Sequence, residues 1–92
     1  MTTRQRIIVT YSARLEAAVR RHAKLNDIDP HAVRGSIVAR LLADSMGCSD
    51  SPYWRELDAM TSAQVTRVMR EVIRRVEDGI GVRRDTWAKS RS

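Results

Sequence analysis

Residues 6–11, RIIVTY, constrain the fold of this 92-residue chain more than any other stretch. β-Branched and aromatic residues crowd there. In an extended chain Ile7, Val9 and Tyr11 fall on one face, and Arg6, Ile8 and Thr10 on the other. The stretch therefore predicts a short β-strand. A lone strand leaves its N–H and C=O groups unpaired. No second strand-like stretch follows in the sequence. A second copy of the chain can supply the partner, as an antiparallel pair about a two-fold axis.

The rest of the chain reads as helix. Ser12 is a suitable N-cap, and Leu15, Ala18, Val19, His22 and Leu25 make a stripe at helical spacing. The turn "NDIDP" ends that helix at about Leu25. Asp29 and Pro30 then form a cap-and-proline start for a second helix reaching about Met46. Its apolar face is Val33, Ile37, Val38, Leu41 and Leu42, and Gly47 is a natural stop. Residues 48–52 form a linker. Cys48, a small residue just past the helix end, rules out an intrachain disulfide because it is the sole cysteine. Ser51 and Pro52 repeat the cap-and-proline start, for a short helix through Tyr53, Trp54 and Leu57. Thr61 and Gln64 make a capping box that opens a long helix at about Ser62. Val65, Val68, Met69, Val72, Ile73 and Val76 form its stripe, and Gly79 ends it. Residues 80–92 read as a flexible basic tail.

The formal net charge is +6, and each half of the chain, 1–50 and 51–92, carries +3. Fifteen of the seventeen cations are Arg, the side chain best suited to phosphate and guanine. That balance favours an acidic partner, with nucleic acid ahead of a membrane surface. No stretch approaches the length of a membrane span, and no apolar run precedes a cleavage-like site. Together with the cysteine usage, this predicts a cytoplasmic protein. His22 and His31 fall on separate helices, no Cys/His spacing fits zinc, and no glycine-rich phosphate loop is present. The sequence thus offers no catalytic constellation, metal site or cofactor motif.

The order of a short strand, a Ser cap and two amphipathic helices over residues 6–46 resembles the ribbon–helix–helix family of DNA-binding proteins. The resemblance implies a mainly α fold with one N-terminal strand paired across a dimer, two helices and a C-terminal helical extension. It implies a DNA-binding domain over 1–47 and an oligomerisation or interaction extension over 53–79. In that family the ribbon enters the major groove, which assigns base readout to Arg6, Ile8 and Thr10. An inward-facing Ile8 would instead shift the register by one. The dimer core would comprise Ile7, Val9, Tyr11, Leu15, Val19, Ile37, Val38 and Leu41. Arg4, His31 and Arg34 are the backbone-contact candidates. Asp29 departs from the family pattern, since it would repel phosphate at the start of the second helix. The stripe Val65, Val68, Met69, Val72 and Val76 would assemble a tetramer or receive another protein.

The resulting expectation is a sequence-specific double-stranded DNA-binding homodimer or tetramer that acts as a transcriptional repressor. Two other roles remain open. One is a plasmid accessory protein that binds a transfer origin and recruits a relaxase. The other is an antitoxin that holds a toxin through residues 53–79, although that segment is strongly helical in pattern and lies in a basic half of the chain. A helical interaction module with an irregular N-terminal arm is a further possibility.

Overall fold

The computed structural model describes residues 2–47 and 51–81. It contains four α-helices: α1 (Thr3–Leu25), α2 (Gly35–Gly47), α3 (Trp54–Asp58) and α4 (Ser62–Ile80). A single 3₁₀ turn, Pro30–Ala32, lies between α1 and α2. Among the described residues there is no strand. The expected ribbon is therefore absent, and the ribbon–helix–helix architecture does not hold. Residues 6–11 are the second and third turns of a 23-residue helix.

Two features account for that helix. Its first turn is closed by a capping box one helical turn ahead of the supposed strand. Thr2 Oγ1 accepts the Gln5 N–H at 3.2 Å, and Gln5 Oε1 accepts the Thr2 N–H at 2.9 Å. The apolar residues also continue one stripe: Ile7, Tyr11, Leu15, Val19 and Ala23 recur every fourth residue and are all essentially buried. β-Branched residues cost only a few tenths of a kcal/mol each in a helix, roughly, so burial of this stripe outweighs propensity. Ser12 does not cap; its hydroxyl donates back to the Ile8 carbonyl at 2.6 Å inside the helix.

A Schellman turn ends α1. The Ile28 N–H donates to Ala23 O at 3.0 Å and the Asp27 N–H to Lys24 O at 3.3 Å, with Asp27 left-handed at φ 54°. Asp29 and Pro30 open only the 3₁₀ turn, and the Asp29 side chain makes no capping bond. The second helix therefore starts at Gly35, later than the sequence suggests. The linker reading falls partly on residues 48–50, and the tail reading on 82–92; Cys48 and these segments lie outside the described residues. α4 begins as expected, with Thr61 Oγ1 accepting the Gln64 N–H and Gln64 Oε1 accepting the Thr61 N–H. It runs through Gly79 to Ile80 and stops at Gly81, whose φ of 83° is left-handed.

The core lies between α1 and α4, with α2 closing a further side of α1. α1 and α4 run in the same direction. Arg4 shares a cleft with Gln64, Arg67 and Val68, while farther along Val19 lines one small cavity with Val76 and Ile80. Val68, Val72 and Val76 are buried in this core. Tyr11 ties the segment ahead of α3 to α1: its buried hydroxyl donates to the Pro52 carbonyl and shares a 3.1 Å hydrogen bond with Ser51 Oγ. Ser51 is the buried polar residue of the described chain.

Candidate nucleic-acid interface

The excess charge is not evenly distributed once the elements are known. α1 carries Arg4, Arg6, Arg14, Arg20, Arg21 and Lys24 against the single acid Glu16, a net of +5. The other described residues carry seven cations and eight acids, a net of −1. The two halves of the chain nevertheless carry equal charge, because Asp27, Asp29, Asp44 and Asp50 offset α1 within the first half.

Helical spacing places this charge on one side. Arg6, Ala13, Arg14, Ala17, Arg20, Arg21 and Lys24 are exposed, opposite the buried stripe. Thr10, half-buried, sits among them. From Arg6 to Lys24 the face extends about 27 Å at 1.5 Å per residue. Among its described cations, Arg20 is ion-paired, to Glu16 at 3.7 Å and largely exposed to solvent. Ala13 and Ala17 stand between the arginines, so the helix backbone can come close to a partner while the longer cations reach around it. A helix of this width fits the DNA major groove.

The expected site residues scatter relative to this face. Arg6 and Thr10 belong to it, but Ile8 is buried at 6% exposure and cannot read a base. Of the proposed core set, Ile7, Tyr11, Leu15, Val19 and Val38 are buried within one chain, and Ile37 and Leu41 pack partly against them. Val9 is 43% exposed, because position 9 turns away from the stripe formed by 7, 11 and 15. Val65 is half-buried, and Met69 packs on the core edge. Arg4 is turned toward α4, in a cleft of about 250 Å³ with Met60, Gln64, Arg67 and Val68. His31 and Arg34 lie in the α1–α2 connection, with His31 Nε2 3.9 Å from Asp29 Oδ2.

Arg14, Arg20, Arg21 and Lys24 were legible as cations off the apolar stripe but not as a surface. The signal that α1 starts at Thr3 was also present: "TTRQ" at 2–5 has the same cap spacing as "TSAQ" at 61–64. A smaller cationic area on α4 comprises exposed Arg67 and Arg70; its neighbours Arg74 and Arg75 are engaged with Glu71 at 2.7 and 4.0 Å.

Among the described residues, no group of three or more His, Cys, Asp or Glu could hold a metal ion. No helix of the described residues is long and apolar enough to cross a membrane. No family model matches the chain, and neither a curated protein nor a solved structure does.

Proposed function

We propose that this protein binds double-stranded DNA through the exposed face of α1. The observation that carries the reading is the net +5 on that helix, beside a net of −1 over the other described residues. Arg6, Arg14, Arg20, Arg21 and Lys24 neutralise phosphates, and Thr10 lies on the same face for contact with a base or sugar. Affinity comes mainly from counterion release and therefore falls steeply with salt. The buried side of α1 supports DNA over a membrane as the anionic partner: its apolar stripe is already covered by α4 and α2 and is not free to enter lipid.

In this reading the chain acts in the cytoplasm as a transcriptional repressor that occupies a promoter. Binding at a transfer origin is the alternative use of the same surface, and a footprint on the flanking DNA separates the two. The direct test is duplex binding by fluorescence anisotropy across a salt series. Arg14→Ala and Arg21→Ala are each expected to weaken binding and to reduce the slope of log K against log salt by about 0.9. Arg74→Ala, which removes an ion-paired cation on α4, is expected to change the slope little. Binding that ignores salt and both α1 substitutions would overturn the proposal.

A further inference from the structure

We propose that a second copy of this chain docks on the groove between α1 and α2. The groove encloses about 340 Å³ and is lined by His22, Ile37, Arg40, Leu41 and Asp44. Ile37 and Leu41 are half-buried there, so part of their apolar surface stays open to water. Leu25, 79% exposed, follows His22 by three residues and extends the same side of α1 by one turn.

The charges at the rim identify the occupant. Arg40 and Asp44 are exposed, one turn apart on α2, and form no ion pair with each other or with another described residue. Their order is the reason. A cation N-terminal to an acid at this spacing is the less favourable arrangement along a helix, whereas Glu16–Arg20 and Glu71–Arg75 have the favourable order and do meet. Arg40 and Asp44 thus remain available to an outside partner. A two-fold axis beside Leu41 sets the two α2 helices antiparallel. Arg40 of each copy then faces Asp44 of the other, and the Leu41 side chains come together between the two pairs. One surface supplies both signs, which is what an isologous contact requires. A uniformly acidic or basic partner would match one rim residue and repel the other.

This contact differs from a strand-mediated dimer and does not depend on the DNA reading. Sedimentation of the full chain and two charge variants tests it. The wild-type protein should form a dimer whose population rises with concentration. Arg40→Asp leaves two acids facing two acids across the axis, and Asp44→Arg two cations facing two cations. Each variant alone should dimerise roughly tenfold or more weakly than wild type. Mixed in equal amounts, they should recover the dimer, because the acidic rim of one then meets the basic rim of the other. That recovery also shows that both variants are folded. A wild-type chain that stays monomeric at the highest attainable concentration would overturn the inference. So would variants that dimerise like wild type, or a mixture no more dimeric than its parts.

Discussion

At Asp27 the chain places an acid where helices most often place glycine. The residue is exposed, left-handed at φ 54°, and just past the C-terminus of α1. Its Cβ strains the backbone there, and its charge opposes the negative end of the helix dipole. Asp27→Gly relieves both and is expected to stabilise the protein by about 0.5–1 kcal/mol, read as a higher urea midpoint with an unchanged slope. Tyr11 has the opposite balance. Its hydroxyl is bound to Ser51 Oγ and the Pro52 carbonyl in a buried site. Tyr11→Phe keeps the ring but strands those partners, and is expected to cost about 1–3 kcal/mol by the same measurement. The residue types here were legible, but the partners were not. Nothing in the spacing of Tyr11 and Ser51 indicates that forty residues of chain return to that point.

The elements differed in how much their sequences revealed. α4 was legible almost to the residue because its cap, stripe and stop agree: "TSAQ" opens it, valines at 68, 72 and 76 fill its inner face, and glycine ends it, two residues beyond the expected Gly79. In α1 two patterns overlap. Ile7, Val9 and Tyr11 alternate as a strand would, while Ile7, Tyr11 and Leu15 also recur as a helix would. Six residues cannot separate the two periods; the cap at Thr2 and the continuation to Ala23 do so. The two patterns assign Val9 different fates. As an exposed helical position, Val9→Ala should stabilise the protein by several tenths of a kcal/mol, roughly, through helix propensity. In a buried ribbon the same change would destabilise it by about 1–2 kcal/mol. A thermal melt of the variant distinguishes these signs. The cationic face follows from the same resolution, because a strand at 6–11 would have ended the basic surface at Ser12.

At the scale of the molecule, the core belongs to no short segment. α4 packs along α1, with Val19 and Val76 in one buried cluster and Ile80 against it, and α2 covers another flank of α1. A chain ending at residue 61 would expose the α1 stripe, and is expected to lose its near-UV circular dichroism and much of its helical signal. The shared direction of α1 and α4 has a consequence for the order of events during synthesis. Two helices that run the same way cannot be joined by a tight turn, so residues 26–61 must cross the length of the bundle between them. The α1–α2 pair closes over a short connection, whereas α1 and α4 meet only after that long crossing, and such contacts form slowly. On the ribosome, the side of α1 that α4 covers must wait open until α4 has been made. That interval is when the nascent protein is most exposed to aggregation and to chaperones.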